Sequence, residues 1–249
     1  MSVFEPPRPP RQPFLLVPWP VVVLIGLMAT FYAAYALAPP ELQSWILARY
    51  AFIPARFSSG FAAAFAAAYG YDPGSVLGRT LSFVSYIFLH GSLGHLAINS
   101  VWLLPFGSVV ARRYGSVTFF LFFLLCGVAG AGMHLAFNWG SILPVVGASG
   151  AISGLMGAAF RMMGSLEAPM PRSGAKAPLS PLFSKRILVW SAVWVGINIV
   201  AGVLGLGAGT EVRLIAWQAH LGGYFAGLLL AGPFTALAGS LERDATRYR

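Results

Sequence analysis

The chain has 249 residues, 57% of them hydrophobic and only 9% charged, with a mean hydropathy of +0.74. A soluble globular domain carries roughly 25% charged residues, so this composition excludes a water-soluble fold and indicates an integral membrane protein. The formal charge of +9 would suggest nucleic acid if the basic residues formed one soluble patch. They fall instead in the gaps between apolar runs, which is how orientation in a bilayer is set.

In chain order, residues 1–13 are Pro-rich and polar and read as a disordered cytoplasmic lead-in. No small-residue cleavage site follows a short apolar core, so no removed signal peptide is expected. Crossing the hydrocarbon takes about 20 largely apolar residues. Six segments qualify, running from Phe14 to about Leu37, about Leu93 to Ala111, Val117 to Phe137, Ala148 to Met163, Ile187 to Leu206 and Leu214 to Leu237. The fourth is short and opens on glycines, which suits a helix shielded by its neighbours. Residues 14–240 thus form one membrane domain, and 241–249 a cytoplasmic tail.

Between the first two spans lies a long loop, residues 38–80, too polar and broken to cross. Its Ala55–Tyr69 stretch alternates aromatic residues with alanine, a composition suited to a helix lying in the interface, and Asp72-Pro73-Gly74 predicts a turn. Residues Leu81–Leu89 approach the second span. The Glu167–Ser184 stretch, rich in proline, reads as a flexible connector. The single cysteine, Cys126, lies inside an apolar run and permits no intrachain disulfide.

With the N-terminus inside, twelve basic residues fall on the cytoplasmic side and only Arg49, Arg56, Arg79 and Arg213 on the other. Both termini are therefore expected to be cytoplasmic. The same topology brings His95, Ser149 and His220 toward the outer face.

Polar and ionisable groups at membrane depth are costly and mark functional sites. Ser149 lies in Gly147-Ala148-Ser149-Gly150, where a polar loop enters the fourth span. Glycine permits a tight backbone entry, and a helix start offers unpaired N–H donors and a positive dipole end. Ser149 also fits an ordinary N-cap in a small-residue contact.

In the sixth span, Ala219, Gly223 and Gly227 form a stripe that lets another backbone approach. Gly150, Gly154 and Gly157 of the fourth span are its expected partner, and that pairing would bring His220 to Ser149 as a general base. The alternative for His220 is a histidine satisfied by a hydrogen bond between helices. Neither Glu167 nor Glu211 is placed to act as a third member, so the expectation is a dyad.

His95 and Asn99, one helical turn apart, can donate to a tetrahedral oxyanion together with the Ser149 N–H. His90 is assigned a supporting role, or belongs to an interfacial turn at His90-Gly91-Ser92. Metal binding by His90, His95 and His220 lacks an acidic or thiolate partner at ligand spacing. His134, near Asn138 and Trp139, reads as interfacial, and Asn198 as a residue that bonds across helices.

These features together resemble the rhomboid family of intramembrane serine proteases. The resemblance rests on the six-helix core, the His90…His95…Asn99 run, the Gly147–Gly150 segment, and Ala219-His220 followed by Gly222-Gly223, and covers roughly residues 75–235. It implies an all-α, six-transmembrane-helix bundle with a long interfacial first loop. Ser149 would be the nucleophile, His220 the base, His95, Asn99 and the Ser149 N–H the oxyanion site, and His90 its support. By the same analogy the fifth helix and the loop after it move to admit substrate. Two departures stand out: Ser153 occupies the position where some members have a tyrosine packing on the histidine, and the Trp-Arg pair of some first loops is not evident.

The implied activity is hydrolysis of peptide bonds in or beside transmembrane segments of other membrane proteins, through an acyl-enzyme and without metal or organic cofactor. The expected setting is a bacterial inner (plasma) membrane with the active site toward the outer face. Transmembrane proteins and membrane lipid are the expected partners, and nucleic acid is not one. The other readings are an inactive relative that binds transmembrane segments, a small transporter, and a hydrolase acting on lipid.

Overall fold

The computed structural model describes residues 17–163, 178–204 and 216–247, with side chains as far as 241. Residues 1–13, Glu167 and Glu211 lie outside the described residues, as does most of the proline-rich connector. Among the described residues the fold is helical without strands, apart from one antiparallel bridge between Phe52 and Val145.

The described residues form nine α-helices, in order α1 (Trp19–Ala36), α2 (Pro40–Tyr50), α3 (Ala62–Tyr69), α4 (Val76–Ser85), α5 (Leu93–Tyr114), α6 (Ser116–Phe137), α7 (Ser149–Met163), α8 (Lys185–Val203) and α9 (Trp217–Arg247). Five of these, α1, α5, α6, α8 and α9, are long and apolar enough to cross a membrane. The sixth member of the bundle is α7, at 15 residues. Its short length is tolerable because 11 of those residues are buried by protein rather than lipid. The outward faces of α1 and α8 carry exposed Val22, Leu27, Phe31, Val193, Ile197 and Val200, as lipid contact requires.

Local chemistry sets the ends. Ser75 caps α4 by accepting from the Gly78 N–H at 3.1 Å, and Ser92 caps α5 by accepting from the His95 N–H at 3.1 Å. Gly115, at φ +72°, turns the chain from α5 directly into α6. The last helix continues to Arg247, so a helix occupies most of the segment expected as a tail.

The centre of the bundle is α7 held between α6 and α9. Helix association in lipid relies on close packing rather than on the hydrophobic effect, and here the close packing is made by absent side chains. A β-carbon on Gly223 would strike the Gly150 carbonyl, and one on Gly227 the Gly154 carbonyl. Gly157 faces the Tyr224 carbonyl in the same way, and Gly130 on α6 faces the Ala219 carbonyl. The backbones of α7 and α9 therefore touch over about two turns.

The first loop departs from its sequence-based description. Helix α2 was not expected there, and Ala55–Tyr69 is two short 3₁₀ turns followed by α3 rather than one helix. The loop is organised on Arg56, which is 1% exposed. Its guanidinium donates to the carbonyls of Pro73 and Arg49, each at 3.0 Å, and Arg79 donates to the Arg56 carbonyl at 2.9 Å. Burial, then the neighbouring Arg49 and Arg79, pushes the Arg56 guanidinium down to about 10, so it stays charged at neutral pH. An Arg49–Asp72 ion pair at 3.2 Å closes the rim and, with the Gly74 N–H, holds the Asp72 carboxyl below the usual aspartate range.

Candidate active site

The segment that leads into Ser149 is braced from outside the bundle. Phe52 and Val145 exchange backbone hydrogen bonds of 3.0 and 2.8 Å, the Ala55 N–H donates to the Ser141 carbonyl at 2.9 Å, and the Tyr69 hydroxyl donates to the Ile142 carbonyl at 2.8 Å. The Gly147 N–H then donates to the Tyr86 carbonyl at 2.9 Å. Gly147 has φ +114°, a conformation that side chains resist. A β-carbon there would also lie 2.6 and 2.7 Å from Cε1 and Nε2 of His95. Glycine is required twice over, once for the turn and once to let the His95 ring lie against the backbone just before Ser149.

Ser149 is the first residue of α7, with the Ile152 N–H donating back to the Ala148 carbonyl at 2.9 Å. Its own N–H is among the helix-start donors that lack an intrahelical acceptor. Ser149 Oγ lies 2.7 Å from His220 Nε2. That approach depends on the glycine contacts, because the Ala219 carbonyl sits against both Gly150 and Gly130. Both side chains are partly buried, at the same end of the bundle as the starts of α5, α7 and α9.

On the facing helix, Asn99 is buried and its Nδ2 donates to the His95 carbonyl at 2.9 Å. The same Nδ2 lies 3.7 Å from the position of a β-carbon on Gly147, so both groups border the backbone that enters α7. His90 is 2% exposed, with Nδ1 3.3 Å from the Phe88 carbonyl and its ring edge-on to His95 at 5.1 Å between centroids. Burial first, then His95, pushes the His90 imidazole down to about 4 and keeps it neutral. Its Nε2 is buried without a hydrogen-bond partner. The turn after His90 ends in the Ser92 cap.

Asn198 bonds across helices as its sequence suggests, but the partner it finds was not foreseen. His220 Nδ1 lies 2.7 Å from Oδ1 of Asn198 on α8, and Asn198 is buried. The signal was available: Ser191, Asn198 and Gly202 are seven and then four residues apart, a single face of an otherwise apolar helix. Ser153, one turn after Ser149, is buried and donates to the Ser149 carbonyl at 2.7 Å. His134 is also buried, beside Asn138 Nδ2 at 3.3 Å. Among the described residues no cluster of three His, Cys, Asp or Glu side chains is arranged to hold a metal.

The rhomboid domain matches residues 77–236 of this chain, well over half its length. The chain belongs to the rhomboid family. It is 31% identical over 146 residues to the rhomboid protease GluP of Bacillus subtilis (strain 168), an alignment covering 58% of this chain and 24% of that protein. It is 40% identical over 79 residues to RHOMBOID-like protein 9, chloroplastic, of Arabidopsis thaliana, covering 30% of this chain and 17% of the relative. The chain thus spans a quarter or less of the length of these relatives. Rhomboid membership agrees with a helical bundle embedded in a membrane.

Proposed function

We propose that this rhomboid is an intramembrane serine endopeptidase that hydrolyses peptide bonds in or next to transmembrane segments of other membrane proteins. The observation that carries the proposal is the 2.7 Å approach of Ser149 Oγ to His220 Nε2 at one end of a membrane bundle. A hydroxyl and an imidazole at that distance can exchange a proton.

In the reaction, Ser149 Oγ attacks the substrate carbonyl carbon and its proton passes to His220 Nε2. The negative oxygen of the tetrahedral adduct is held by the Ser149 N–H with His95 and Asn99, groups able to donate to the charge that develops there. The C–N bond then breaks, His220 returns the proton to the leaving amine, and an acyl-enzyme remains on Ser149. Water enters, gives its proton to His220, and releases the second fragment by the same steps in reverse. His90 supports His95 as a neutral ring. A substrate helix must unwind locally, because carbonyls in an intact helix are already paired.

The basic residues favour both termini in the cytoplasm and the dyad toward the outer face, in a bacterial inner membrane. The test is incubation of the purified protein with a panel of single-span membrane proteins, comparing wild type with Ser149→Ala and His220→Ala. Each substitution is expected to lower cleavage by at least about 10³-fold, since members of such a unit fail together. Cleavage that survives either change would rule out the dyad. Binding of the panel by all three proteins without cleavage would favour an inactive, segment-binding relative.

A further inference from the structure

Resting on the protease reading, we infer that Asn198 is a positioning residue that fixes the tautomer of His220, making a Ser149–His220–Asn198 relay rather than a dyad. The argument begins at Trp194. Asn198 Nδ2 donates to the Trp194 carbonyl, one turn earlier on α8, at 2.8 Å. Turning the amide over would set its oxygen against that carbonyl, so the Trp194 carbonyl determines which end of the amide faces α9. The end that faces α9 is Oδ1, 2.7 Å from His220 Nδ1.

An amide oxygen only accepts, and the His220 proton must therefore sit on Nδ1. Nε2 is left bare, and it is the atom 2.7 Å from Ser149 Oγ. The Ser149 hydroxyl donates to it, which is the direction proton transfer needs. With the opposite tautomer, Nε2–H would donate to Ser149 and the ring could not act as a base. When Nε2 takes the serine proton, the Nδ1–H to Oδ1 bond becomes a charge-assisted one.

Two features of the surroundings make this role necessary. Ser153 turns its hydroxyl to the Ser149 carbonyl and presents no ring to pack on the imidazole. Asn198 also lies on a helix that faces lipid over most of its surface, with only Ile187, Asn198 and Gly202 buried. A polar side chain on such a helix needs a partner, and simple adhesion between helices is the competing explanation. Ser191 supplies the control, because its hydroxyl pairs with the Tyr224 hydroxyl at 2.8 Å across the same α8–α9 interface without touching His220.

The experiment measures kcat and KM for a cleavable transmembrane substrate with full-length wild type, Asn198→Leu, Asn198→Asp, Ser191→Ala and His220→Ala, together with the ¹⁵N spectrum of the His220 ring. Asn198→Leu is expected to lower kcat by about 10²-fold with KM little changed, the lower range of a general base's contribution. Asn198→Asp keeps an acceptor toward His220 but sets a second oxygen against the Trp194 carbonyl, so it recovers only part of that loss, and Ser191→Ala leaves kcat near wild type. The spectrum shows a proton on Nδ1 in wild type and a mixture of tautomers in Asn198→Leu. The inference is overturned by an Asn198→Leu kcat equal to wild type, by an equal loss in Ser191→Ala, or by a wild-type proton on Nε2. Retained cleavage in His220→Ala would instead remove the Ser149–His220 dyad on which this inference rests, and the nitrogen spectrum keeps the two failures apart.

Discussion

Helices α7 and α8 both deliver a residue to His220, and they are held in opposite ways. Of the 15 residues of α7, 11 are buried, and its glycines rest on the backbone of α9. Of the 19 residues of α8, three are buried, and it bonds to α9 through Asn198 to His220 and Ser191 to Tyr224, among other contacts. The nucleophile is therefore placed by backbone contact in the densest part of the bundle. The group that orients the base arrives on a peripheral helix. Serine position and histidine orientation should fail separately, the first with the fold and the second with α8 alone.

The sharpest break in this comparison is expected at Gly227. A leucine there meets the backbone of Gly154, and overpacking against a backbone that cannot yield should cost about 3 kcal/mol or more. Thermal unfolding in detergent micelles should show a large fall in midpoint, with cleavage lost in proportion to folded protein.

On the α8 side, Gly202→Leu drives a side chain into the Trp217 ring, one turn beyond Asn198. That change should move the outer end of α8 away from α9 and reduce kcat by roughly 10-fold through the lost His220 contact, a cost of about 1.4 kcal/mol in the barrier. The unfolding midpoint should fall far less than for Gly227→Leu. Equal losses of stability in the two variants would show that α8 is as integral as α7. The smallest effect is expected for Ser191→Ala, about 1 kcal/mol or less in stability for one interhelical hydrogen bond, read from the same unfolding curves with kcat near wild type.

The same contrast explains how much of the molecule was legible in its sequence. The long spans were readable because lipid demands unbroken apolar runs, and α1, α5, α6 and α8 lie close to the predicted limits, whereas α9 runs ten residues past the expected end at Leu237. Ser149, His95 and His220 were conspicuous as polar groups set among small or apolar neighbours, and the glycine spacing on α7 and α9 suggested which helices approach.

The first loop was harder. Helix α2 has mixed polarity and starts at a proline pair, so neither a span pattern nor a simple interfacial one reveals it. Arg56 counted only as an outer-side charge, yet it is the buried centre of that loop because its acceptors are backbone carbonyls supplied by Arg49 and Pro73. No side-chain spacing advertises such partners. Asn198 was visible as a polar residue in an apolar helix, but its role depends on the Trp194 carbonyl and the rotation of α8, which only coordinates provide.

The central claim is that His220 activates Ser149, and covalent labelling tests it without any need to know the substrate. A fluorophosphonate probe should add once per chain, at Ser149, as located by peptide mass. The adduct should be absent from Ser149→Ala and formed at least about 10²-fold more slowly in His220→Ala. An adduct forming at the same rate without His220, or no adduct at Ser149 in folded wild-type protein, would contradict the account.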